Sequence, residues 1–280
     1  MTSFDQIDAH AHVWTPDAGR YPRIPGKPDY VPVSFPPEEL RNVARAAGVG
    51  RFVLVQMGYH YGYDNTFMLD TMRASPGIFS GIALIDHEPA AAPDEMRRLA
   101  KAGVRGFRVP LPVHPDTWTQ SPGMKRMWTR AAEDGLLICP LINPDGLAGI
   151  GRMCSRFPDT TVVIDHLARI GFDGEVRDSE IEALCALAVH PRTCVKVSAF
   201  YALGKRRYPY LDLVTLVRRV VTAFGPERLM WASDAPGQLL GGHTYAGSVE
   251  FVTRRLEFLS RADSEWLLRK TAARLFFPGG

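Results

Sequence analysis

The chain has 280 residues, a formal net charge of +3 at pH 7, a sequence pI near 8.7 and 46% apolar residues. That length and apolar content suffice for one large core, and the small, scattered charge excludes a nucleic-acid footprint, which needs Lys and Arg clustered on one face. No apolar run approaches the ~20 residues that span a bilayer, and Cys139, Cys154, Cys185 and Cys194 show no C-x-x-C pairing, so they read as free buried thiols.

The chain opens into "TSFDQIDAHAHVW" without a basic segment followed by an apolar one, so a cytoplasmic location is expected. The first strand candidate is "FDQIDAHAHV". Residues i and i+2 of a strand share a face, so His10 and His12 point the same way. Two imidazoles aimed at one point can hold a cation or polarise an anionic substrate, although His-x-His also arises by chance. The Pro-rich stretch "VWTPDAGRYPRIPGKPDYVPVSFPP" follows, long for a loop, as lids and substrate walls often are.

"PPEELRNVARAAGVG" reads as a helix. Glu38 and Glu39 occupy its first turn, Leu40, Val43, Ala44 and Ala47 form its apolar stripe, and Gly48 follows its end. The strand "RFVLVQM" then runs into "MGYHYGYDN". There Tyr59, His60, Tyr61 and Tyr63 make an aromatic cluster suited to walling a planar ring, and Asp64-Asn65 reads as the next helix N-cap.

"FSGIALID" ends at Asp86-His87, "VRGFRVPL" carries Arg105 and Arg108, "LLICPLI" reaches Asn143, and "TVVIDHL" ends at Asp165-His166. In "SEIEALCALAVH" the spacing predicts a Ser179…Glu182 capping box. "CVKVSAF" offers Ser198 and "RLMWASD" ends at Ser233-Asp234. Between them a helix stops at Gly225-Pro226. "SEWLLRKTAARLF" is a closing helix, expected under or beside the sheet. His114, His190 and His243 read as surface residues.

Several of these eight strands are continuous apolar runs, as parallel strands covered on both faces require. Eight strands alternating with helices predict a single (β/α)8 TIM-barrel domain over residues 1–280, with a long loop after strand one and an extra C-terminal helix. The competing open doubly wound sheet would carry a Gly-rich phosphate turn after its first strand, and none is present. In a barrel the polar strand ends converge on one cleft, which gives them a reason to exist, because burying each unpaired costs a few kcal/mol.

The motifs "IDAHAHVW", "VLVQMGYHYGYDNTFMLD", "AGVRGFRVPL", "VVIDHLARIG" and "LMWASDAPG", in that order, resemble the amidohydrolase-related superfamily. The branch most similar is that of the 2-pyrone-4,6-dicarboxylate lactonases and sugar-lactone hydrolases. That resemblance implies a hydrolase with His10, His12 and Asp234 as ligands of one divalent cation, Zn²⁺ by donor type. Asp234 is then also the general base, and His166 a metal ligand or polariser of the carbonyl. Arg108 and Arg105 match arginines that clamp substrate carboxylates, a task suited to the guanidinium fork.

Two departures bear on this. Asn143 stands where many metal-loaded members have a histidine or modified lysine, which argues against a binuclear centre. Ala235 follows Asp234 where relatives often have a bulky aromatic. A metal-free lactonase, in which the same histidines touch the substrate, is the close alternative. The expected substrate is a small carboxylate-bearing lactone, contacted by Arg108, Arg105, Tyr59, His60 and Asn143 and opened by Asp-activated water. A metal-dependent decarboxylase of an aromatic acid, an amide or imide hydrolase, or a non-catalytic binding barrel are the other readings. Aromatic loops at the surface are consistent with a homodimer.

Overall fold

The computed structural model describes residues 5–28, 30–111 and 117–279, so His114 lies outside the described residues. Strands and helices alternate in chain order: β1 (Gln6–Ala11), α1 (Pro37–Arg45), β2 (Val49–Val55), α2 (Gly58–Tyr61), α3 (Thr66–Ala74), β3 (Phe79–Ala83), α4 (Ala92–Lys101), β4 (Val104–Val109) and α5 (Pro122–Asp134). They continue as β5 (Leu137–Pro140), α6 (Leu147–Arg156), β6 (Thr161–Ile164), α7 (Asp178–Ala186), β7 (Thr193–Ser198), α8 (Val214–Phe224) and β8 (Leu229–Ala232). The short helices α9 (Tyr245–Glu250), α10 (Arg261–Glu265) and α11 (Thr271–Phe276) complete the chain.

All eight strands are parallel and pair in the order β1 to β8. The ring closes at its C-terminal end, where His12 N donates to Ala235 O at 2.8 Å and Asp234 N donates to His10 O at 2.9 Å. The expected (β/α)8 barrel is the observed fold.

Alternation along each strand sorts the side chains into two apolar layers. Val195 and Val197 of β7 face the helices, together with Leu40, Met72, Trp128 and Val217. Ile7, Val53, Ile82, Leu137, Val163, Cys194 and Met230 fill the lower interior. Ala272 and Phe276 of α11 join that interior cluster, so the closing helix plugs the barrel from below. Fully burying one large apolar side chain contributes about 1.5–3 kcal/mol, so the plug stabilises the floor on which the polar upper layer rests.

The four cysteines are free, and Cys139 lies inside the barrel, where burial pushes its thiol up to about 12. Gly48 adopts φ +75° beyond α1, as its position predicts. The Ser179…Glu182 box does not form. Helix α7 begins two residues earlier than that box requires, at Asp178, and Arg177 at its N-cap makes no side-chain cap. Asp178 and Glu180 instead place acidic charge at the positive end of the helix. A capping box occurs at Ser260 and Asp263, opening α10. At α3 the two predicted cap residues divide the work. Asp64 accepts from Thr66 N at 2.9 Å, while Asn65 turns inward and accepts from Leu84 N at 3.1 Å.

Candidate active site

The lower interior of the barrel is apolar and the upper interior is charged, and a backbone irregularity in β1 makes the change. Asp8 pairs with Phe52 and Ala11 with Leu54, so β1 carries one extra residue over that span. Ile7 and Ala9 face the interior below it, and His10 and His12 face it above. The bulge leaves Asp8 to bind β8. Its carboxylate accepts from Ser233 N at 2.9 Å, His10 N at 3.1 Å and Tyr245 Oη at 2.7 Å, and from Ser233 Oγ. A fully buried carboxylate is thereby satisfied, and the two strands that bear His10 and Asp234 are tied together.

Three imidazoles converge on one oxygen. Oδ1 of Asp234 lies 3.5 Å from His10 Nε2, 3.5 Å from His12 Nε2 and 3.8 Å from His166 Nε2. The two Nε2 atoms of His10 and His12 are 3.2 Å apart. His12 Nδ1 lies 2.8 Å from Val55 O, a pure acceptor, so Nδ1 carries the proton and Nε2 presents its lone pair. His166 Nδ1 meets Ser198 Oγ at 2.8 Å. The other oxygen of Asp234, Oδ2, accepts from Tyr201 Oη at 2.8 Å.

Electrostatics set the charge states. Burial raises the Asp234 carboxyl, but the His166, His12 and His10 imidazoles outweigh it and hold Asp234 far below the ordinary carboxylate range. Burial, reinforced by the Lys196 ammonium, pushes His10 well below its usual value, and burial lowers His166 as well. Asp234 is therefore a carboxylate at pH 7, and His10 and His166 release their protons more readily than free imidazoles. Beneath His10, fully buried Lys196 places Nζ 3.1 Å from His10 Nδ1 and 3.0 Å from Asp165 Oδ1. Against the cost of burial, Lys196 and then His10 hold Asp165 well below its usual range.

The backbone is strained where these side chains turn inward. His166, Leu167, Ala168 and Arg169 have φ of 52°, 53°, 54° and 57°, and Ala199 and Asp234 have φ of 56° and 61°. Left-handed conformations cost a non-glycine residue about 1–2 kcal/mol each, and here they cluster at the ends of β6, β7 and β8. The left-handed turn after β6 brings His166 and Arg169 to the same cavity.

That cavity, about 370 Å³, opens above the imidazoles. His12, His166 and Asp234 form its base, Arg108 and Arg169 offer two guanidiniums, and Trp14, Tyr30 and Tyr201 supply aromatic wall. Arg108 Nη1 lies 3.4 Å from His10 Nε2 and 3.7 Å from Asp165 Oδ2. Arg169 donates to Asn143 Oδ1 at 2.7 Å, and its guanidinium carbon lies 4.8 Å from the ring centre of Phe172.

Of the residues singled out from the sequence, His10, His12, His166, Asp234 and Arg108 come together. Asn143 reaches the cavity only through Arg169. Arg105 is not brought to it: standing an odd number of residues from inward Arg108, it shares the outward parity of Phe107 and Val109. Tyr59 and His60 stand behind the wall. The His60 ring packs 5.1 Å from Trp14 and the Tyr59 ring 5.3 Å from Tyr30, and those two partners face the cavity. Lys196, Arg169 and Tyr201 were not anticipated. Lys196 had a signal, a lone charge in "CVKVSAF" with the inward parity of Ser198. Tyr201 and Arg169 had none, because irregular turns carry them.

Among the described residues, two groups of metal-ligating side chains are close enough to share an ion: His10, His12 and Asp234, and His10, Asp165 and His166. The first fits. Its three facing atoms are 3.2–3.5 Å apart, against the roughly 3.3 Å separation expected of tetrahedral zinc ligands with bonds of about 2.0–2.1 Å. In the second, Nδ1 of His10 is already met by Lys196.

The model of the amidohydrolase family matches residues 7–277. The L-fucono-1,5-lactonase of Burkholderia ambifaria is 28% identical over 242 residues, covering 85% of this chain and 82% of its own. The D-galactarolactone isomerase of Agrobacterium fabrum is 26% identical over 241 residues, covering 82% of this chain and 76% of its own. A crystal structure of an amidohydrolase from Burkholderia multivorans with bound zinc superposes with a TM-score of 0.83 at 26% identity, covering 97% of this chain and 98% of that one.

Proposed function

The chain belongs to the amidohydrolase family, and from that premise we propose that it is a hydrolase that opens lactones of small carboxylate-bearing acids. The observation that carries this reading is the meeting of an ionised Asp234 with three imidazoles, of which His12 and His166 form the base of a cavity that also presents two guanidiniums. Both curated relatives described above act on lactones by name.

In the proposed reaction Asp234 Oδ1 takes a proton from water, and the water oxygen attacks the lactone carbonyl carbon. Charge develops on the carbonyl oxygen, which Arg108 and the Nε2–H tautomer of His166 are placed to stabilise. The ring C–O bond then breaks, and the proton held on Asp234 passes to the departing oxygen, leaving a hydroxy acid. Arg108 and Arg169 bind a carboxylate on the substrate and hold the ring for attack. Trp14 and Tyr30 cover one side. When bound to His10, His12 and Asp234, a zinc ion supplies Lewis-acid polarisation of the carbonyl and a more acidic water.

The test is a pair of lactone classes assayed on the same variants. Galactarolactones, which keep a free carboxylate, are expected to be turned over with higher kcat/KM than neutral sugar lactones. Arg108→Met should lower kcat/KM about 10- to 100-fold more for the carboxylated class than for the neutral one, the value of a charge-assisted hydrogen bond. Asp234→Asn should lower kcat by about 100-fold or more for both. A preference for neutral lactones, unchanged in Arg108→Met, would favour the second reading, a neutral sugar lactone as in the Burkholderia ambifaria relative.

A further inference from the structure

We propose that Tyr201 is a positioning residue for Asp234, and that Gly237 is part of the same device because only glycine leaves room for the tyrosine. The inference rests on the reading of Asp234 as the base that activates water. Tyr201 stands in the turn after β7 and Asp234 at the end of β8, so the contact joins two loops across the rim of the barrel.

Tyr201 Oη donates to Oδ2 of Asp234 at 2.8 Å. Oδ1 is the oxygen that faces His10, His12 and His166. A carboxylate turning about its Cβ–Cγ bond presents either oxygen, and that torsion is broad and roughly two-fold. The Tyr201 hydroxyl removes the degeneracy by committing Oδ2 outside the reaction. One oxygen then handles the proton of the attacking water, with its plane held against the imidazoles. A hydrogen bond to a charged acceptor is among the stronger ones available.

Gly237 supplies the second observation. A Cβ built on it would overlap Tyr201 Oη and lie 2.5 Å from Tyr201 Cζ. Gly237 does not have a positive φ, so its backbone would accept a side chain. Tyr201 is therefore what excludes one. The tyrosine is held by Gly237 on one side and Asp234 on the other, both in the segment that follows β8.

The experiment measures kcat, KM and thermal midpoint for Tyr201→Phe, Gly237→Ala and the double variant, with Asp234→Asn in parallel, using galactarolactone and L-fucono-1,5-lactone as probes. Tyr201→Phe keeps the ring and removes only the donor, and is expected to lower kcat about 10- to 100-fold with KM and thermal midpoint nearly unchanged. Gly237→Ala is expected to reproduce that loss by displacing the hydroxyl. In the Tyr201→Phe background it should cost less than about twofold more, since residues acting through one contact are not additive. If Asp234→Asn abolishes turnover while Tyr201→Phe leaves kcat within twofold, the positioning role is wrong and the base survives. If Asp234→Asn keeps near-normal turnover, the base itself is wrong. Fully additive losses in the double variant would also overturn the shared device.

Discussion

Nζ of Lys196 lies 3.1 Å from Nδ1 of His10, both groups entirely shielded from solvent at the centre of the barrel. Asp165, 3.0 Å from the same ammonium, completes the group, and Arg108 approaches it from the cavity side at 3.7 Å. The cluster links the apolar floor to the reactive layer, because His10 belongs to both the buried ion group and the set of side chains around Asp234.

Breaking this group should cost stability before it costs chemistry. Removing one partner of a buried ion pair leaves the other uncompensated, typically at about 3–5 kcal/mol. Lys196→Met is expected to lower the urea unfolding free energy by that amount, and Asp165→Leu combined with Lys196→Met to recover most of it. A single variant as stable as the parent would show that Asp165 is satisfied without Lys196.

The facing atoms of His10, His12 and Asp234 predict a zinc site. Calorimetric titration of chelator-treated protein should give about one equivalent of zinc. His12→Ala and Asp234→Ala should each weaken binding by at least ten-fold, the lower end of what even an outer-shell change costs. His60→Ala, behind the aromatic wall, should leave it unaltered. Absence of binding to the parent protein would assign the three imidazoles to the substrate alone.

Asn143 holds Arg169 at 2.7 Å from the far side of the cavity. Asn143→Ala leaves the guanidinium in place but unrestrained, so KM for a carboxylated lactone should rise about 3- to 10-fold with kcat nearly constant, the loss of one ordinary hydrogen bond. Steady-state kinetics with both lactone classes decides it. An equal rise for neutral lactones would mean that Arg169 shapes the cavity rather than binding an anion.

Acid should destabilise the protein in two stages. His10 and His166 have lowered values in the fold, so the unfolded chain binds their protons more readily. Stability is therefore full above the ordinary histidine value of about 6.5 and falls as pH drops below it. Asp165 and Asp234 are also lowered, and their contribution persists above about 3.9 and is lost only as pH falls through their own values. Urea unfolding at pH 8, 6.5 and 5 should show little change over the first interval and a decline over the second. A His166→Gln variant should decline less. A loss confined to the region below pH 4 would contradict the histidine origin.

Much of this was legible in one dimension. Continuous apolar runs such as "TVVIDHL" and "RLMWASD", separated by helical stripes and glycine stops, specify parallel strands covered on both faces, because no other arrangement buries them. Polar residues at the ends of such runs have to converge or remain unsatisfied, so the sequence alone brings His10, His12, Arg108, His166 and Asp234 together. Alternation alone would also have brought Lys196 to the interior beside Ser198.

Tertiary structure decided what depends on parity breaks and on irregular backbone. Arg105 faces away simply because it stands an odd number of residues from inward Arg108, but one extra residue in β1 turns His10 inward immediately after an interior Ala9. Strand periodicity cannot register such a shift, since a single inserted residue exchanges the two faces. Arg169 and Tyr201 reach the cavity from turns whose left-handed geometry is imposed by the surrounding packing, not by their residue types. The sequence alone thus determined the barrel and the convergence of its strand ends, through burial and periodicity. Which oxygen, which imidazole nitrogen and which arginine face the cavity was decided by contacts between segments far apart in the chain.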